Sequence, residues 1–166
     1  MRTKIRLGMA TIAAVAALSV AGYAFAATIN PAFSPAGVTR YAMVQQGPTV
    51  TATTTSTTFV NMPGMSVAVS IPSGKTADLI VTFSAQVNSC LAMLVRATVD
   101  GSAALPSSTQ FFWQAGNTGA DSRAFTFFQH NVGAGSHTVR IQWAGVTSCA
   151  NEFVSARSMI VTANIF

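Results

Sequence analysis

The stretch that decides the fold is MSVAVSIPSGKTADLIVTFSAQV, residues 65–87. Met65, Val67, Val69 and Ile71 alternate with Ser66, Ala68 and Ser70. Pro72-Ser73-Gly74 then breaks the run. Leu79, Val81, Phe83, Ala85 and Val87 resume the alternation, interrupted only by Ile80. A period of two sends successive side chains to opposite faces of a strand, so each run predicts a strand with one buried and one wet face.

The same period recurs along the chain. Met93, Val95, Ala97 and Val99 alternate with Arg96, Thr98 and Asp100. Val139, Ile141 and Trp143 oppose Thr138, Arg140 and Gln142, and Met159, Val161, Ala163 and Ile165 close the chain. Pro63-Gly64, Asp100-Gly101, Gly116 to Gly119, Gly133 to Gly135 and Gly145 punctuate these runs at fairly regular spacing. Asp100-Gly101 is the sharpest turn signal, because a two-residue hairpin loop needs positive φ at both central positions. The expected fold is all-β: an antiparallel jelly-roll-like β-sandwich of about eight strands, preceded by a cleaved signal peptide.

The leader rests on three features. Met1 to Arg6 is basic, Leu7 to Ala21 is apolar, and Ala24-Phe25-Ala26 is an A-x-A cleavage site. The apolar stretch is short for a membrane span, and no stop-transfer cluster follows it. The expected organisation is a signal peptide over 1–26, an extended N-terminal arm and first strand over 27–48, and the sandwich over 49–166. The expected destination is bacterial export, to the periplasm or the outside, with no membrane span in the mature chain. An outer-membrane barrel would need Ser158, Thr162 and Asn164 to face lipid beside Phe166, which is the wrong polarity.

Removing the leader changes the charge. Of nine Lys and Arg, Arg40, Lys75, Arg96, Arg123, Arg140 and Arg157 remain, against Asp78, Asp100, Asp121 and Glu152. The net charge falls from +5 to +2, and the basic residues form no stripe, which argues against nucleic acid as a partner. A surface this poor in charge either associates or is kept soluble by its hydroxyls, and the partner expected in the first case is a homo-oligomer, with a trimer favoured.

Cys90 and Cys149 are the only cysteines, and in an exported chain they are expected to form one disulfide. Closing a loop of that size stabilises the fold by about 4 kcal/mol on the chain-entropy estimate. A zinc site built from both cysteines with His130 and His137 matches no familiar ligand spacing.

Two groups of residues look familiar. Phe59-Val-Asn-Met-Pro-Gly64 with the strands that follow it resembles the front half of uncharacterised exported bacterial β-sandwich domains. Gly135 to Trp143, with Arg157 to Val161, resembles their back half, and the Val99-Asp-Gly101 turn fits between them. These domains are similar in layout to jelly rolls of the tumour-necrosis-factor and complement globular-head type. The resemblance spans roughly residues 50–165 and implies a fold. It carries no catalytic residue.

His137 shares the parity of Val139, Ile141 and Trp143, so it is expected on the inward side where a strand begins, with one ring nitrogen on a backbone carbonyl or water. Its expected role is structural, like those of Trp143, Asp100 and Gly101. Paired carboxylates for glycoside hydrolysis would have to come from four dispersed acids. No G-x-S-x-G or H-E-x-x-H motif is present, and no cofactor or metal is expected. The regular threonines of Thr49 to Thr58 suit a solvated strand better than a short ice-binding array.

Phe111-Phe112-Trp113 and Phe125-Thr-Phe127-Phe128 place large rings at consecutive positions, so some must point away from the core. Phe112, Trp113 and Phe128 are therefore candidate contacts to a ligand or partner. The leading expectation is a secreted, non-enzymatic domain with a structural or adhesive role. The alternative is a carbohydrate-binding module using exposed aromatics to take a glycan or cell-surface partner, and the third is a hydrolase.

Overall fold

The computed structural model describes residues 25–27, 39–47, 49–88, 92–106, 121–146 and 152–166. Among these, every regular element is a strand: β1 (Phe25–Ala27), β2 (Thr39–Gln46), β3 (Ala52–Thr54), β4 (Val60–Ile71), β5 (Ala77–Asn88), β6 (Met93–Val99), β7 (Ser102–Ala103), β8 (Asp121–Val132), β9 (Gly135–Gly145) and β10 (Glu152–Ile165). A six-stranded sheet runs β1-β2-β10-β5-β8, with β3 paired to β10 off that path. A four-stranded sheet runs β4-β9-β6-β7. All pairings are antiparallel.

Alternation places the apolar set of each strand in one shared interior. Leu79, Val81 and Phe83 of β5, with Met159, Val161 and Ala163 of β10, meet Met93, Val95, Val139, Ile141 and Trp143 from the other sheet in a single core cluster. Phe83, Phe127 and Trp143 are its largest fully buried side chains, and burying each such ring contributes about 1.5–3 kcal/mol. Trp143 Nε1 has no hydrogen-bond partner among the described residues.

The turns do a different job from the one their spacing suggests. Only β1–β2 and β6–β7 join strands that are neighbours both in sequence and in a sheet. The Pro72–Lys75 turn, closed by Lys75 N–H to Pro72 O at 3.2 Å, carries the chain from the small sheet to the large one. Residues 133–134, between β8 and β9, carry it back. Asp100 (φ 51°) and Gly101 (φ 88°) make the β6–β7 hairpin.

Pro63-Gly64 is not a break but a bulge inside the twelve-residue β4, where the register against β9 shifts between Asn61 and Ser66. Proline has no N–H to lose from a ladder, and a bulge tolerates it. Gly64 supplies φ +73°, and a Cβ there would lie 2.6 Å from Gln46 Nε2. Wet faces are also drier than alternation implies: Thr98, on the outward side of β6, is 1% exposed.

At the start of the chain, Phe25–Ala27 pairs with Met43–Gln45 along β2. The expected cleavage point after Ala26 falls inside this short strand. Arg157, on the inward side of β10, is 3% exposed. Its Nε and Nη2 donate to Pro63 O at 3.2 and 3.0 Å, and its Nη1 donates to Val50 O at 2.7 Å. One guanidinium therefore ties β10 to the bulge of the opposite sheet and to the segment leading into β3.

Candidate functional site

His137 lies at the start of β9, its side chain 15% exposed. Its Nδ1 is 2.7 Å from Asp100 Oδ2 and its Nε2 is 2.8 Å from Gly133 O. A carboxylate and a carbonyl both accept, so both bonds at once require both ring nitrogens to donate. Neither nitrogen is left open toward solvent. The ring fastens the β8–β9 connection to the β6–β7 hairpin.

Asp100 is held as tightly. Its Oδ1 accepts the Thr138 N–H at 2.7 Å, while its own N–H donates to Thr138 O at 2.9 Å. The Thr138 N–H, then the His137 bond, keep the Asp100 carboxyl below its ordinary value. The other described His–Asp contact lies on the opposite sheet: His130 Nδ1 is 3.4 Å from Asp78 Oδ1, which also accepts the Asn131 N–H. The two histidines thus serve two separate corners. No group of three or more His, Cys, Asp or Glu that could hold a metal occurs among the described residues.

The aromatic run divides by parity. Phe127 is fully buried and Phe125 packs against the core, whereas Phe128 pairs with Ile80 on the outward side and is half-buried. The His130 ring stands edge-on to Phe128, with centroids 3.9 Å apart. Phe112, Trp113, Cys90 and Cys149 lie outside the described residues.

The outward side of the six-stranded sheet has a feature that no local signal announces. Tyr41 is 46% and Ile160 39% exposed. Ile160 pairs with Met43 on β2 and with Thr82 on β5, while Tyr41 and Ile80 both pair with Thr162. With Ile80 opposite Phe128, five apolar side chains share this face across four strands, with Thr162 and Thr82 set among them. Serine, threonine and glutamine flank them. Toward the bulge between Val154 and Arg157, a cleft of about 470 Å³ opens on this sheet, lined by Ser84, Gln86, Ser122, Arg123, Ala124 and Ala156.

The outward side of the small sheet is different. Asn61, Gln142 and Arg96 stand opposite one another on β4, β9 and β6. Arg96 Nε donates to Gln142 Oε1 at 2.8 Å, and Gln142 Nε2 donates to Asn61 Oδ1 at 3.0 Å. The Arg96 guanidinium carbon sits 4.1 Å from the Phe59 ring centroid, a cation–π contact that fixes the head group. Arg140 occupies the next row, between Ser66 and Thr98.

No family model matches this chain, and no curated protein matches it. Solved structures do. The chain is similar in fold to part of dimeric latent PorU from Porphyromonas gingivalis, with a TM-score of 0.51 and 9% identity, over 86% of this chain and 14% of that one. A weaker likeness, TM-score 0.42 and 13% identity, is to a chain of infectious bursal disease virus Gx strain, over 75% of this chain and 33% of that one. This chain therefore spans a small part of both proteins, and what it shares with PorU is an all-β fold.

Proposed function

We propose that the chain is a secreted, non-enzymatic structural or adhesive domain that associates with copies of itself through the outward side of its six-stranded sheet. The observation that carries this reading is the apolar group of Tyr41, Met43, Ile160, Ile80 and Phe128 on one face, with Tyr41 and Ile160 exposed and the others half-buried. Exposed apolar surface rimmed by polar residues is what association surfaces have. Export completes the proposal: cleavage after Ala26, a Cys90–Cys149 bridge, and a jelly-roll layout akin to exported bacterial sandwich domains, with a trimer as the favoured assembly. Cleavage would also remove Phe25 and Ala26 from the edge of β2, and an uncovered edge strand favours association.

Light scattering of the exported chain over a range of concentrations tests this directly. Association is expected in the wild type and a shift to monomer in Ile160→Glu. A wild type that stays monomeric at every concentration overturns the reading. Mass spectrometry without reductant is expected to find the chain two hydrogen atoms lighter than its reduced form.

A second reading, a carbohydrate-binding module, draws on the exposed Tyr41 ring among hydroxyl side chains. Tyr41→Ala is then expected to abolish binding on a glycan array, and binding that survives the change removes Tyr41 as the stacking residue.

A further inference from the structure

The small sheet's outward side has a hydrogen-bonding polarity of its own. In the Asn61–Gln142–Arg96 row, the Gln142 and Asn61 carbonyl oxygens already accept bonds within the row. The donors left over are the terminal nitrogens of Arg96 and the amide nitrogen of Asn61, held in place by the Phe59 stack and the amide chain. In the adjacent row, the Arg140 guanidinium has no hydrogen-bond partner among the described residues. Arg96 pairs with Gln142 and Arg140 with Thr98, so the two arginines are diagonal neighbours, their backbone positions roughly 7–8 Å apart. Two cations on adjacent rows of one face favour an anionic ligand that reaches both. Of the described acidic side chains, Asp78 lies on the other sheet, and Asp100, at the hairpin, binds Thr138 and His137 and offsets only part of the Arg140 charge.

We propose that this face binds an acidic polysaccharide, whose carboxylate or sulfate groups are taken by Arg96 and Arg140 and whose hydroxyl oxygens accept from Asn61. The spacing of charge selects the ligand class. Two cations set among neutral amides and the hydroxyls of Ser66 and Ser70 match a polymer that carries sparse oxyanions between hydroxyl groups. A nucleic-acid backbone would call for a denser basic track. An extended peptide is captured at a sheet edge, whereas this array lies across the middle of a face. The proposal goes beyond the self-association reading and uses the opposite side of the molecule.

Affinity electrophoresis of the full chain through gels containing polygalacturonate, dextran sulfate or neutral dextran tests it. Retardation is expected in the two acidic gels at low ionic strength and not in dextran, and it is expected to disappear near 1 M salt, where charges are screened within about 3 Å. Arg140→Gln removes charge and no hydrogen bond, and is expected to weaken retardation at least fivefold. Arg96→Gln, with its fold checked by circular dichroism, is expected to weaken it at least tenfold. Ile160→Glu, on the other sheet, is expected to leave binding intact even where it abolishes association, so the two proposals fail separately. The inference is overturned if the wild type is not retarded, if Arg140→Gln and a folded Arg96→Gln are retarded like the wild type, or if polyglutamate retards the protein equally.

Discussion

Arg157 and His137 both sit on the inward side of their strands, and the sandwich treats them differently. Arg157 lies deep, 3% exposed, its donors taken by the carbonyls of Val50 and Pro63, with no carboxylate among these contacts. Burial pushes its guanidinium below the ordinary arginine value. His137 lies at the mouth, between a carboxylate that is half in water and a carbonyl. Depth decides the difference. A buried cation must be met by fixed acceptors, because water cannot replace one that is lost. At the mouth, water can.

That contrast orders the expected effects of mutation. Arg157→Ala should be the most damaging, costing about 3 kcal/mol or more, since it opens a cavity in the interior and leaves the Val50 and Pro63 carbonyls without their donor. Arg157→Lys should recover only part of this, because one ammonium cannot reproduce the fork. Urea unfolding midpoints measure both, and a loss below 1 kcal/mol in the alanine variant would erase the distinction between depth and mouth.

Gly64→Ala comes next, at about 1–2 kcal/mol, from a non-glycine residue held at positive φ beside Pro63. Combining it with Gln46→Ala should relieve the contact with Gln46 and leave the backbone cost, which a double-mutant cycle resolves. His137→Gln should cost about 1 kcal/mol, because water or the new amide can restore part of what the ring made.

Asp100→Asn should have the smallest effect at its largest, since Asn-Gly preserves the hairpin turn, and that effect should depend on pH. The folded Asp100 carboxyl is depressed below its unfolded value of 3.8. A depressed carboxyl contributes stability that is present above the unfolded value and is lost as pH falls through the folded one. The gap in thermal midpoint between wild type and Asp100→Asn should therefore be widest near neutrality and shrink below about pH 4. A gap that stays constant from pH 7 to pH 2 would show that the charge of Asp100 contributes nothing.

The inner layer was legible because strand parity is local. Val139, Ile141 and Trp143, or Leu79, Val81 and Phe83, need only their own spacing to be assigned to one face. Strand order was not legible. β5 lies between β10 and β8, and β9 between β4 and β6, so most partners are far apart in sequence, and most turns cross between the sheets. Pro63-Gly64 looks like a stop because proline and glycine signal breaks locally, yet register and the Gln46 side chain make it a bulge. Phe125, Phe127 and Phe128 could be divided by parity once β8 was located. Met43 meets Ile160, and Arg96 meets Gln142, only through pairings between distant strands.

What the sequence by itself determined was which side chains avoid water, because a two-residue period is a property of each strand alone. The tertiary structure decided which strands became neighbours, and with them the apolar group on one outer face, the donor row on the other, and the carbonyls that accept from Arg157. Each of these requires two or more segments, remote along the chain, to be brought within hydrogen-bond or van der Waals distance. Closing loops of many lengths costs similar entropy, so spacing along the chain could not rank those partners.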